Sequence, residues 1–192
     1  MSSTEKVALL VLGMHRSGTS ALARILALAG AKLPQNLVAA GEGNETGHWE
    51  PVRIALLNDK IMKSLDHSWL DWTQLNVESL PVEDRRTFNS DIRSILLEEY
   101  GGASVVVFKE PRACRLAETY IQSFKDLGYR PVPIIIFRNP LEVVDSLMAR
   151  SSWPPSRTEM DAAILWLVHV LEAEHASRGT DRVFWNYDDL FG

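Results

Sequence analysis

The stretch Val7-Ala8-Leu9-Leu10-Val11-Leu12-Gly13-Met14-His15-Arg16-Ser17-Gly18-Thr19-Ser20 decides the fold. Its first half, Val7–Leu12, is an apolar run of the length and β-branched content of a strand buried on both faces. Its second half is a short polar loop framed by glycines. From Ser17 to Leu28 the chain then places Leu22, Ile25, Leu26 and Ala29 at helical spacing. A strand, a tight loop and a helix start in succession make a phosphate cradle. Gly13 and Gly18 are expected to take positive φ and let the backbone approach a ligand, while the first helical amides add the positive end of the helix dipole. Ser17 can donate to that ligand or simply cap the helix.

The rest of the chain repeats the alternation. Apolar runs at Val105–Phe108, Val132–Phe137 and Val183–Trp185 read as further buried strands. Helical stripes lie between them: one opened by Pro51 and running through Ile54, Leu57, Ile61 and Leu65, then Arg85–Tyr100, Arg115–Leu127, Pro140–Met148 and Glu159–Ala176. This order predicts an α/β fold, a parallel sheet flanked by helices on both faces with right-handed crossovers. Gly13, Lys109 and Arg138 each follow a predicted strand, so they are expected to converge on one crevice at the carboxyl edge of the sheet. Trp153-Pro154-Pro155-Ser156 reads as a stiff, mobile link between helices.

Composition narrows the function. A formal net charge of −5 over 192 residues gives no global attraction for nucleic acid and disfavours an extended polyanionic acceptor. The length favours a single domain over residues 1–192. The one cysteine, Cys114, excludes an internal disulfide framework, suits a reducing compartment and reads as a small buried apolar residue. No segment reaches the roughly 18 apolar residues of a membrane span, and Val7–Met14 lacks the cleavage pattern of a signal peptide. A cytoplasmic protein without a membrane span is the expectation. The histidines show no metal-site spacing; His169 and His175 read as ordinary helix residues, and His15 as either a ligand contact or a structural hydrogen bond.

Walker A loops of nucleotide triphosphatases carry Lys after the second Gly, where this chain has Thr19. The loop with Arg16-Ser17-Gly18-Thr19-Ser20 instead resembles the 5′-phosphosulfate loop of sulfotransferases that use 3′-phosphoadenosine 5′-phosphosulfate (PAPS). Arg138-Asn139-Pro140-Leu141-Glu142-Val143-Val144-Asp145-Ser146 is similar to that family's 3′-phosphate motif, an Arg with a Ser eight residues later. Lys109-Glu110-Pro111-Arg112 resembles the Lys-Asp-Pro segment of the tyrosylprotein-like and bacterial branches, whose first loop carries Arg. Gly47-His48-Trp49-Glu50-Pro51 resembles a segment that supplies acceptor-site groups. The resemblance implies a P-loop NTPase-like fold, PAPS as cofactor, a 5′-phosphate on Ser17, Gly18, Thr19 and Ser20, and a 3′-phosphate on Arg138 and Ser146. Members generally continue further, into a loop over the adenosine that Asp188–Gly192 does not reach, so a C-terminal portion of the pattern is not represented.

The chemistry expected of these residues is sulfuryl transfer to a hydroxyl or amine of a small molecule, sugar or lipid-linked acceptor, without a metal. Arg16 neutralises charge on the bridging oxygen. Lys109, at the end of a buried strand, needs an anion, which is either the transferred group or Glu110. Glu50 and His48 are the candidate bases, with Glu50 preferred because Trp49 partly shields it. Trp69 and Trp72 either line an acceptor pocket or belong to the core. Two other readings stay open: a P-loop kinase-like nucleotide enzyme, and a non-catalytic nucleotide-binding module. The oligomeric state is not legible.

Overall fold

The computed structural model describes residues 5–41 and 44–190. Four parallel strands, β1 (Lys6–Leu12), β2 (Val105–Lys109), β3 (Tyr129–Phe137) and β4 (Val183–Asn186), form one sheet in the order β2-β1-β3-β4. Val11 lies beside Lys109 and Leu12 beside Ile135, so the ends of the first three strands are level. Among the described residues, six α-helices surround the sheet: α1 (Thr19–Leu28), α2 (Val52–Ser64), α3 (Val82–Tyr100), α4 (Ala117–Asp126), α5 (Pro140–Met148) and α6 (Glu159–Ala176). No described helix is long and apolar enough to cross a membrane.

Period-two alternation divides the sheet into two buried faces. Ala8, Leu10, Leu12, Val106, Phe108 and Ile135 point into a large core with α2, α3 and α4. Val11, Val107, Ile134 and Ile136 point the other way, onto Leu22 and Ala23 of α1. Aromatic rings consolidate the first core: Phe108 stacks on Tyr120 with centroids 4.7 Å apart, and Phe124 meets Phe108 edge-on at 5.6 Å. A third cluster holds Met14, α5, Trp153 and the start of α6.

Several boundaries differ from the sequence reading for identifiable reasons. β3 begins three residues early and runs through Pro131 and Pro133. Its pairing with β4 starts only at Ile134, leaving an open edge before it, the setting in which a strand tolerates a residue without N–H. On α1 the buried face is Leu22 and Ala23, whereas Ile25 is 42% exposed. Helix α3 starts at Val82, with Glu83 and Asp84 complementing the dipole of its first turn. Residues Pro111–Leu116 form a 3₁₀ segment that delays α4 to Ala117. The Trp153 link is packed rather than loose: the indole is buried against Trp69, and its Nε1–H donates to the Arg157 carbonyl at 3.3 Å.

Gly13 and Gly18 do different jobs. Gly13 is not in the positive-φ region, but a Cβ on it would lie 2.6 Å from the Ile136 carbonyl oxygen, so only hydrogen fits between β1 and β3. Gly18 does take positive φ, at 89°, and its missing side chain makes room for the Tyr187 ring. Arg16 shares the left-handed region at φ 70°, a strained choice for a bulky residue that occurs where the chain turns to present a side chain.

His169 of α6 is fully buried; its Nδ1–H donates to the Leu165 carbonyl at 2.8 Å, and burial pulls its pKa down to about 4. The folded imidazole stays neutral where the unfolded one takes a proton. Its contribution to stability is therefore complete above the unfolded value of about 6.5 and is lost as pH falls towards about 4. Urea-unfolding free energies measured across that window should fall with acidification, and a His169→Asn variant should lose part of the slope.

Candidate functional site

The chain runs from β1 to β2 on one side and then crosses back to β3 on the other, so the direction of winding reverses at β1. Open α/β sheets bind ligands at that reversal, beyond the strand ends. The loops after β1, β2 and β3 enclose a cavity of about 200 Å³ there, lined by Arg16, Gly18–Ala21, His48, Glu50, Lys109 and Arg138 among others. The first intrahelical bond of α1 is from the Leu22 N–H to the Gly18 carbonyl. The N–H groups of Thr19, Ser20 and Ala21 thus precede any intrahelical partner, in residues that face the cavity.

The two ends of the sequence pattern touch. Arg16 Nε–H donates to Ser146 Oγ at 2.8 Å, across 130 residues of chain, and Arg138 Nη1–H donates to the Arg16 carbonyl at 3.4 Å. Arg138 is held by Glu142, one turn along α5, at 2.7 Å, and its guanidinium lies 4.5 Å above the Tyr187 ring. Arg150, one turn beyond Ser146, reaches the same cavity. Its side chain has no hydrogen bond or ion pair among the described residues. Burial first, and then the Arg150 and Arg138 cations, lower the pKa of Arg16. Glu45 and Tyr187 pull the other way, and cations held this close favour an anion beside them.

Beneath this cationic rim lies a buried pair. Lys109 Nζ is 2.5 Å from Glu50 Oε1, and both side chains are at most 6% exposed. Lys109 also donates to Ser20 Oγ at 3.2 Å and to the His48 carbonyl at 3.1 Å, which joins the loops after β1 and β2 to the segment before α2. Its anion is thus Glu50 and not Glu110. Glu110 is fully buried behind it, accepting from Arg112 at 2.7 Å and from Asn58, which in turn takes the Tyr120 hydroxyl. Burial raises the Glu110 pKa against the pull of Arg112. His48 lines the cavity. Burial lowers its pKa below the ordinary value, Glu50 opposes the shift, and Lys109, Arg150 and Arg16 add to it, so the ring is neutral at pH 7.

Other candidates fall differently. Ser17 neither caps α1 nor lines the cavity: its N–H bonds the Met14 carbonyl at 3.2 Å, and its buried hydroxyl has no partner among the described residues. Ser146 meets the cavity only through Arg16. The His15 ring sits 5.0 Å from Trp69 at the cavity wall, with Nε2 buried and without a hydrogen-bond partner among the described residues. Burial, then the charges of Arg112 and Lys109, push its pKa well down. Trp69 belongs to the third core cluster and Trp72 bonds Asp161; neither lines the cavity. Cys114 is buried, with its thiol pushed up to about 12, and it is more than an apolar filler: its Sγ accepts the Gly13 N–H at 3.0 Å.

Three polar lining residues lie outside the sequence reading: Asn44, Arg150 and Tyr187. Arg150 was accessible in principle, since it continues the Arg138–Ser146 helix face by one turn. Tyr187 directly follows β4 and obeys the same strand-end rule as Arg138. Asn44 carries no such signal.

No family model matches this chain, and no curated protein matches it in sequence. Among solved structures, it is similar to a sulfotransferase domain from the curacin biosynthetic pathway, with a TM-score of 0.52 and 13% identity over 98% of this chain and 69% of that one. The chain therefore has a sulfotransferase-like fold.

The Lys109–Glu50 pair makes a stability test available. Lys109→Met strands a buried carboxylate and should lower the unfolding free energy by about 3–5 kcal/mol. Lys109→Met/Glu50→Gln should recover most of that loss in urea titrations; equal losses in the single and double variants would mean that the pair is not the relevant interaction.

Proposed function

We propose that this protein is a sulfotransferase that takes a sulfuryl group from PAPS and gives it to a hydroxyl or amine of a small molecule, sugar or lipid-linked acceptor. One observation carries the reading: Arg16, Arg138 and Arg150 crowd one small cavity beside the uncapped start of α1, with Glu142 as the carboxylate paired to Arg138. Such a site fits a ligand with more than one anionic group. The shared fold with a sulfotransferase domain supports the choice of sulfuryl chemistry.

In this reading the amides of Thr19, Ser20 and Ala21 hold the 5′-phosphate, with the Gly18 backbone beside them. Arg138 and Arg150 hold the 3′-phosphate, and Ser146 orients Arg16 through the 2.8 Å bond. When bound, the nucleotide supplies a sulfuryl group whose bond to the 5′-phosphate oxygen breaks. Arg16 offers its guanidinium to the charge that develops on that oxygen. Lys109 stands ready to turn from Glu50 to the transferred oxygens. Glu50, relieved of its partner by that turn, accepts the proton of the acceptor hydroxyl or amine. The net charge of the chain favours a small or neutral acceptor.

Calorimetric titration decides the nucleotide class: adenosine 3′,5′-bisphosphate should bind without magnesium and more tightly than ATP with magnesium, and Arg138→Ala should weaken it by about 1.5–3 kcal/mol. Equal affinity for nucleotides with and without the 3′-phosphate would exclude the assignment. Glu50→Gln should leave nucleotide affinity intact and slow transfer about a hundredfold or more; an unchanged rate would take the proton-accepting role away from Glu50.

A further inference from the structure

Asn44 is a polar group at the cavity wall to which the proposed reaction gives no task. Its carboxamide Nδ2 lies 3.1 Å from Ser20 Oγ and 3.2 Å from His48 Nδ1. Its backbone is tied down on both sides, with the N–H donating to the Gly41 carbonyl at 2.9 Å and its own carbonyl accepting the Gly47 N–H at 3.0 Å. The side chain is thus presented to the imidazole by an anchored turn.

We infer that Asn44 is a positioning residue that locks His48 in the Nε2–H tautomer, so that His48 serves the cavity as a neutral hydrogen-bond donor to an anionic group and not as the base. The identity of that anion as the sulfuryl-bearing nucleotide rests on the function proposed above; the tautomer does not.

The hydrogen-bond inventory around Ser20 orients the carboxamide. Lys109 can only donate, so Ser20 Oγ accepts from it at 3.2 Å. The single hydroxyl proton of Ser20 is directed at the His48 carbonyl, 3.3 Å away. With that proton so directed, the corner of Asn44 that faces Ser20 is the NH₂ group, the nitrogen of both its contacts. That group has two hydrogens, one for Ser20 and one for His48 Nδ1. A neutral imidazole that accepts at Nδ1 carries its proton on Nε2. Nε2 has no hydrogen-bond partner among the described residues; it lies beside Gly41, 3.5 Å from where a Cβ there would stand, and the ring lines the cavity. Burial and the nearby Lys109, Arg16 and Arg150 keep the ring from taking a second proton, with Glu50 the opposing charge. A donor at this position complements the guanidinium rim, and it leaves the acceptor's proton to Glu50.

The test reads the ring nitrogens directly. In the full chain with ¹⁵N-labelled histidine, long-range NMR correlations should show His48 protonated at Nε2 and bare at Nδ1. Asn44→Asp replaces the donor with an acceptor and should move the proton to Nδ1. Asn44→Gln, which retains an amide donor, should keep more of the original tautomer than Asn44→Ala. In assays with PAPS, Asn44→Asp should lower kcat about a hundredfold, the scale of one lost oxyanion donor, and raise the nucleotide KM through its added carboxylate, whereas Asn44→Ala should lower kcat less and leave KM nearly unchanged. A bare Nε2 in the unmodified protein, or an unmoved proton in Asn44→Asp, would overturn the inference, and the first measurement stands even if the variant does not fold. If the tautomer is as stated but adenosine 3′,5′-bisphosphate does not bind, the positioning role holds and the sulfuryl-transfer reading fails.

Discussion

The closeness of β1 to β3 at Gly13 is the constraint on which the site depends. With a Cβ-to-carbonyl distance of 2.6 Å in prospect, any side chain there would push the loop after β1 away from Ile136 and the end of β3. The Sγ of Cys114 holds the same residue from the other side by accepting its N–H. Held between these neighbours, the loop turns through Arg16 at φ 70° and Gly18 at φ 89°, which brings Arg16 within hydrogen-bond reach of Ser146. A displacement on the order of 1 Å at Gly13 would break the 2.8 Å Arg16–Ser146 bond and move Arg16 away from the other guanidiniums of the cavity.

Two opposite electrostatic regimes meet in this cavity. At its rim the arginines repel one another and stand partly in solvent, where screening and the carboxylates of Glu142 and Glu45 make the repulsion tolerable. At its base Lys109 and Glu50 are out of water, where either charge alone would be costly and the pair with its extra hydrogen bonds is stable. Glu110, Arg112, Asn58 and Tyr120 continue the buried polar chain behind it and fix the 3₁₀ segment after β2. The rim gathers like charges, and the base pairs opposite ones.

Much of the fold was legible because its signals are local. Buried parallel strands read as unbroken apolar runs, and Val7–Leu12 and Val183–Trp185 sit inside the observed strands for that reason. Pro140–Met148 and Glu159–Ala176 were readable as helices to the residue, the second with a Thr158–Asp161 capping box at its start. The meeting of Lys109 and Arg138 at one cavity follows from strand ends alone, while Gly13 stays behind it against Ile136. Boundaries are less legible: the strand read as Val132–Phe137 begins at Tyr129, and the helix read from Arg115 begins at Ala117, after a 3₁₀ segment that ends at Leu116.

The sequence by itself determined the alternation of elements, the glycine-framed loop and the residue types gathered at the strand ends, since periodicity and turn chemistry are properties of neighbours along the chain. Only the tertiary structure decided who meets whom: Lys109 with Glu50 instead of Glu110, Arg16 with Ser146, Tyr187 over Gly18, and Asn44 against His48. Those partnerships depend on distances between segments far apart in the chain. Such distances are set by how helices and strands pack, and a difference of one residue in register or of one turn in helix rotation changes the partner while leaving every local pattern intact.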